Sequence, residues 1–112
     1  RTDDQVNYLF DPLHPAVLRL IHNVIQASKK NGIPVSLCGE LAGDDRYTRL
    51  LLGMGLREFS MSPSLLPEVK QEVLNTRVDM TEPLVEQILQ SPFHDEIYRL
   101  FEQINRFSPD HS

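Results

Sequence analysis

The sequence has 112 residues, which is enough for one domain and too few for two. Its formal net charge of -5 argues against a nucleic-acid surface, because phosphate binding requires clustered Lys and Arg. The apolar runs fall well short of the roughly 20 residues of a membrane span. The single cysteine excludes an internal disulfide and fits a reducing, cytoplasmic compartment.

The first third of the chain predicts a helix followed by a strand. Residues 1–13 begin polar and without a methionine, so we expect an excised segment. Behind Pro15 the apolar residues recur at helical spacing, and Gly32 predicts the end of this helix because glycine tolerates a positive φ. A short apolar run over residues 35–38 then predicts a strand, with Pro34 confined to its start.

The middle of the chain predicts a loop, a second helix and a second strand. The loop runs from Gly39 to Gly43, and the acidic pair Asp44-Asp45 is expected to cap the helix that follows. Gly55 ends this helix. Residues 59–61 then form a brief strand.

Three further helices complete the prediction. The first opens at Ser62-Pro63 and runs to about Asn75. Thr81 caps the second, with Pro83 in its first turn, and Ser91-Pro92 opens the last. The apolar stripe of the last helix comprises Ile97, Leu100, Phe101 and Ile104.

The order helix, strand, helix, strand and three helices is typical of a parallel α/β fold. Two short strands do not make a stable sheet alone. The sequence therefore predicts that strands are missing. We also expect the chain to self-associate or to exchange elements between copies.

The candidate chemistry lies at Cys38, which ends the first predicted strand and precedes Gly39. In α/β sheets and barrels this edge holds the ligand, and a glycine lets the backbone approach it closely. An unperturbed thiol is mostly protonated at neutral pH, which suits an acid that donates a proton to carbon, whereas a lowered pKa would suit a nucleophile. From spacing alone, a plain buried core cysteine remains the favoured alternative.

The stretch Cys38-Gly39-Glu40-Leu41-Ala42-Gly43-Asp44 resembles the active-site cysteine motif of enzyme I of the bacterial sugar phosphotransferase system. Residues 50–62 resemble the helix and strand that follow in that family, and residues 9–20 resemble the preceding segment. The resemblance is strong over residues 1–75, and residues 76–112 match more loosely, as a helical tail. It implies the C-terminal portion of a (β/α)8 TIM barrel, helix-rich with about two short parallel strands.

The resemblance also implies a function. Members of the family transfer the phosphoryl group of phosphoenolpyruvate to a histidine on a separate domain, and from there to a histidine-containing phosphocarrier protein. Cys38 takes the place of the acid that protonates the pyruvate enolate, and Arg1 that of an arginine holding the substrate phosphate. Gly39 and Glu40 are candidate supporting residues.

Several parts of the family's machinery are expected outside this chain. The ligands of its Mg²⁺ and the phospho-acceptor histidine lie upstream of Arg1, so the isolated chain is predicted to be inactive. The resemblance further implies a homodimer. None of the four histidines matches a phospho-acceptor motif: His14, His22, His94 and His111.

Two other functions remain open. Pyruvate phosphate dikinase and phosphoenolpyruvate synthase use a related barrel and a related cysteine motif. Alternatively, the chain is a non-catalytic dimerisation module, whose apolar faces form an interface.

Overall fold

The computed structural model describes residues 11–33, 37 and 39–106, with only the backbone of Gly39 and Glu40. The regular elements in these residues are all helical. They are α1 (Pro15–Asn31), α2 (Gly39–Ala42), α3 (Thr48–Met54), a 3-10 turn (Pro63–Leu65), α4 (Leu66–Leu74), α5 (Val78–Gln90) and α6 (His94–Arg106).

The limits of α1 follow the sequence prediction. Pro15 is its first residue, and the N-cap His14 accepts a hydrogen bond at Nδ1 from the Ala16 N–H, at 3.1 Å. Gly32 ends the helix with a φ of 65°, and its N–H donates to the Ser28 carbonyl. Lys29 and Lys30 lie in the last turn, where the helix dipole favours cations. One apolar face points into the core: Leu18, Ile21 and Ile25.

Helix α3 is the centre of the structure. It packs against α4, α5 and α6, and the run Leu50–Leu52 is buried. Gly55 ends it with a φ of 110°, as the sequence predicted. On the α5 side the contact depends on Gly53, because a Cβ there would lie 2.4 Å from Cγ2 of Val85. The two helices therefore approach more closely than any larger residue at position 53 would allow.

Helices α1, α5 and α6 complete a single core with α3. The stripe predicted for the last helix is confirmed, since Ile97, Leu100 and Ile104 are buried and Phe101 is half-buried. The other members of the core come from α1, α2, α3, α5 and the chain next to α1 and α3: Leu13, Leu18, Ile21, Ile25, Leu41, Leu50, Leu51, Met54, Leu56, Val85 and Ile88.

The two predicted strands fare differently. The first, Val35–Cys38, lies outside the described residues except for Leu37, which belongs to no regular element. The second was wrong, because Phe59–Met61 is irregular. A strand is stable only when a neighbour completes its hydrogen-bond ladder, and the described part of the chain offers residues 59–61 no neighbouring strand.

One predicted loop and the start of one predicted helix were also wrong. Gly39–Ala42 forms the one-turn helix α2 instead of a loop. Helix α5 begins at Val78, so Thr81 is not its cap and Pro83 is not in its first turn. The N-cap is Arg77, and the Thr81 hydroxyl, one turn into the helix, donates back to the Arg77 carbonyl at 2.9 Å.

Candidate active-site segment

The sequence places the candidate chemistry on Cys38, which lies outside the described residues, as does Arg1. Gly39 and Glu40 form the first half of α2, so Cys38 directly precedes a helix. The structure therefore describes the support of the candidate proton donor and not its thiol.

Helix α2 is anchored by its last two residues. Leu41 and Ala42 are 6% and 2% exposed, and Leu41 belongs to the main core. The Asp44 N–H donates to the Leu41 carbonyl at 3.3 Å, which closes the chain after the helix. Residue 38 is thus followed immediately by a turn of chain fixed in the core.

Asp44 organises the turn between α2 and α3. Its Oδ1 accepts from the Arg46 N–H at 3.0 Å, and Oδ2 lies 2.7 Å from Nη2 of the Arg46 guanidinium. This hydrogen bonding from Arg46 lowers the pKa of the Asp44 carboxyl below its ordinary value. The bond from the Arg46 N–H closes an Asx turn, in which an Asp side chain accepts from the backbone N–H of the second residue after it.

The expected capping of α3 by Asp44-Asp45 was therefore wrong. The N-cap of α3 is Tyr47, which makes no side-chain capping bond. Asp44 has two competing uses for its carboxylate, and the local turn with Arg46 satisfies it before the helix begins.

The Asp44–Arg46 pair predicts an acid-dependent stability. A lowered carboxyl pKa stabilises the fold above the ordinary aspartate pKa of 3.8, and this contribution is lost as the pH falls through the lower folded value. Since Arg46 is exposed, we expect Asp44→Asn to cost less than about 1 kcal/mol near neutral pH. Urea unfolding from pH 7 to pH 2 should show that the difference in unfolding free energy between the wild type and Asp44→Asn shrinks below about pH 3.8.

Arg46→Gln is the control for this experiment. It removes the main cause of the Asp44 pKa shift, so Asp44→Asn in that background should show no such pH dependence. A difference that grows towards low pH would contradict the assignment.

Helix α6 lies against this turn. The Asn105 side-chain amide donates to the Arg46 carbonyl at 3.1 Å, and the rings of Tyr47 and Phe101 are 5.4 Å apart between centroids. Burial raises the pKa of the Tyr47 hydroxyl. The turn that follows α2 is thus held from the far end of the sequence.

A buried arginine adds to this support and was missed by the sequence analysis. Arg49 is only 5% exposed although it is charged, and it stands beside the buried run Leu50–Leu52. Its Nε donates to Oε2 of Glu72 on α4 at 3.1 Å, and its Nη1 donates to the Ile104 carbonyl on α6 at 3.0 Å. A charge next to an apolar helical run was the only local signal, because both partners are distant in sequence.

Comparison with known proteins identifies the family of this segment. The model of the family described as PEP-utilising enzyme, PEP-binding domain, matches residues 1–78. The chain belongs to this family. The match includes Cys38, α2, the Asp44–Arg46 turn and α3, so the PEP-binding domain family covers the candidate active-site segment completely.

Individual relatives of the family agree with this match. A protein from Cupriavidus necator is 57% identical over 91 residues, covering 81% of this chain and 16% of the relative. One from Haemophilus influenzae is 45% identical over 103 residues, covering 92% and 18%. One from Latilactobacillus sakei is 50% identical over 82 residues, covering 73% and 14%. All three are named phosphoenolpyruvate-protein phosphotransferase, and the chain spans about a sixth of their length.

Two of the described histidines of this PEP-binding domain, His14 and His94, make side-chain contacts. His14 caps α1, and His94, the first residue of α6, places Nε2 3.2 Å from Oδ2 of Asp11. The His94 ring also meets the Tyr98 ring edge-on at 4.7 Å between centroids. His22 is half-buried on α1.

The described residues do not fit a metal site. Among residues 11–33, 37 and 39–106, no three His, Asp or Glu side chains come together as a group that could hold an ion. No chemical step is therefore assigned to a metal held by these residues. None of the described helices combines the length and apolarity that crossing a membrane requires.

Proposed function

We propose that this chain is the C-terminal part of the phosphoenolpyruvate-binding barrel of a phosphoenolpyruvate–protein phosphotransferase. The observation that carries the proposal is the family match over residues 1–78, together with relatives of that name at 45–57% identity. The names of these relatives also favour protein phosphotransfer over the dikinase and synthase reactions, which use a related barrel.

The chemistry assigned to Cys38 is protonation of carbon. Transfer of the phosphoryl group from phosphoenolpyruvate leaves the enolate of pyruvate, and the thiol gives its proton to the methylene carbon. The resulting thiolate is reprotonated before the next turnover. Such a step requires an acid held in a fixed position. The buried Leu41 and Ala42 favour this role, because they fix the chain directly after the thiol.

Arg1, Gly39 and Glu40 complete the proposed site. An arginine suits the substrate phosphate, since its guanidinium binds phosphate oxygens in a bidentate manner. Gly39 allows a close approach of the backbone to the ligand. Glu40, beside Gly39 in α2, is a supporting residue. Arg1 and Cys38 both lie in the matched segment.

The remaining parts of the reaction belong to the rest of the enzyme. The proposal assigns to it the Mg²⁺ ligands, the phospho-acceptor histidine and the surface for the phosphocarrier protein. Bound Mg²⁺ would neutralise charge on the substrate phosphate. The proposed location of the enzyme is the cytoplasm. The barrel strands supplied by the rest of the enzyme would cover apolar faces that are exposed in this chain.

A homodimer is part of the same proposal. Large apolar side chains are exposed on several described elements, including Leu20 on α1, Leu74 at the end of α4 and Phe93 before α6. Exposed apolar surface of this kind marks interfaces or incomplete domains. The sedimentation mass of the full-length enzyme tests this part of the proposal.

The transfer reaction itself tests the function. The full-length enzyme is incubated with phosphoenolpyruvate labelled in its phosphoryl group and with the histidine phosphocarrier protein. Label on the carrier without any nucleotide supports the proposal, whereas transfer of the label to AMP, which yields labelled ATP, indicates a dikinase or a synthase. The isolated 112 residues should transfer nothing.

A further inference from the structure

Arg49 connects three segments of the chain beside the turn that follows α2. Its guanidinium is bound by α4 through Glu72 and by the last turn of α6 through the Ile104 carbonyl. We propose that Arg49 is a positioning residue for Cys38, because it holds α4 and α6 next to the turn that follows α2. This inference rests on the proposed function.

The contacts of Arg49 require an arginine. Its planar guanidinium sends separate N–H groups to two acceptors in fixed directions, whereas a lysine ammonium is a single point charge. The Ile104 carbonyl lies in the last turn of α6, where the helix dipole is negative and favours a cation. Removal of the guanidinium would leave the partly buried Glu72 carboxylate without this charged partner.

A series of contacts leads from Arg49 back along the chain to α2, which directly follows Cys38 in the sequence. Two residues before Arg49, Tyr47 packs on Phe101 of α6, and the preceding Arg46 carbonyl accepts from Asn105. Behind that turn, α2 is held by its buried apolar residues. Loss of the bond from Arg49 to Ile104 removes one of the contacts that hold α6 next to this turn.

This geometry predicts which kinetic constant responds. The thiol acts on carbon in the transition state, while the substrate phosphate is held by other groups. Misplacement of the thiol should therefore lower kcat and leave KM nearly unchanged.

The first arm of the test measures order and needs no activity. In the 112-residue chain, Arg49→Leu should speed amide hydrogen exchange at residues 41–48 by roughly tenfold more than at the core of α5. Val85→Ala, a core truncation on α5, serves as the control for lost stability. The exchange rates of the two variants are compared at denaturant concentrations that leave the same fraction of each protein folded. Arg77→Leu removes an arginine whose ion pair with Asp79 is exposed, and it should change neither region.

The second arm measures turnover in the full-length enzyme. Arg49→Leu should lower kcat by roughly tenfold to a hundredfold, with KM for phosphoenolpyruvate within about twofold of the wild type. Arg49→Lys should not restore kcat. If Arg49→Leu does not fold, Glu72→Gln keeps the guanidinium and its bond to α6, and a smaller loss in kcat is then expected.

Each result decides the inference. Exchange that rises equally in Arg49→Leu and Val85→Ala, or a kcat restored by lysine, would show that Arg49 contributes only to general stability. A wild-type kcat in Arg49→Leu or in the folded Glu72→Gln, beside an inactive Cys38→Ala enzyme, would overturn the inference alone. An active Cys38→Ala enzyme would overturn the proposed function and, with it, the role of Arg49 in positioning this thiol.

Discussion

Replacing Cys38 with alanine in the full-length enzyme is expected to lower kcat by roughly 10²- to 10⁴-fold while KM for phosphoenolpyruvate stays nearly unchanged. The proposed thiol gives its proton to carbon only in the transition state. Its loss therefore removes an interaction that ground-state binding does not use. The phosphate contacts assigned to Arg1 and to other parts of the enzyme remain.

The methyl protons of pyruvate provide a direct readout of this step. In the reverse direction the thiolate removes a proton from pyruvate, so the wild-type enzyme in deuterated water should exchange the methyl protons, and Cys38→Ala should not. Ser64→Ala, an exposed change on the 3-10 turn, is the control for a substitution within the segment that matches the family. Wild-type kcat and wild-type exchange in Cys38→Ala would make Cys38 a packing residue.

Local signals in the sequence were sufficient where a helix limit depends on a single residue. Pro15 and Gly32 predicted both limits of α1, because one needs no N–H donor and the other adopts a positive φ at no steric cost. The stripe from Ile97 to Ile104 predicted the buried face of α6, since side chains three and four apart lie on one side of a helix.

Local signals failed where one residue has two good partners. Asp44 and Thr81 are both favourable N-caps, yet Asp44 binds Arg46 in a turn and Thr81 bonds back to the Arg77 carbonyl. The choice depends on where the neighbouring helix packs. A short window of sequence does not contain that information.

The support of the candidate site was beyond sequence reasoning for a different reason. Arg49 meets Glu72 and Ile104, which are 23 and 55 residues away along the chain. Contacts at such separations are set by the packing of whole helices. The cysteine motif could be recognised from adjacent residues, whereas the helices that hold its segment in place could not.

The second large effect is expected in the core, at a residue beyond the family match. Ile97 on α6 is 0% exposed, although the match to the PEP-binding domain ends at residue 78. Ile97→Ala should lower the free energy of unfolding by about 2–5 kcal/mol, because it removes buried apolar groups and leaves a cavity. Urea unfolding followed by circular dichroism measures the change.

Ile33→Ala is the matched control, because it deletes the same atoms from a side chain that is 63% exposed. Its cost should stay below about 1 kcal/mol. Should Ile97→Ala fail to fold, Ile97→Val removes a single methylene, and a loss of about 0.5–1.5 kcal/mol is expected. Equal unfolding midpoints for the wild type and the Ile97 variants would show that α6 is an appendage. A large loss at Ile97 alone would make the tail part of the domain, since α6 also carries Ile104 to Arg49 on α3 and Asn105 to the turn that follows α2.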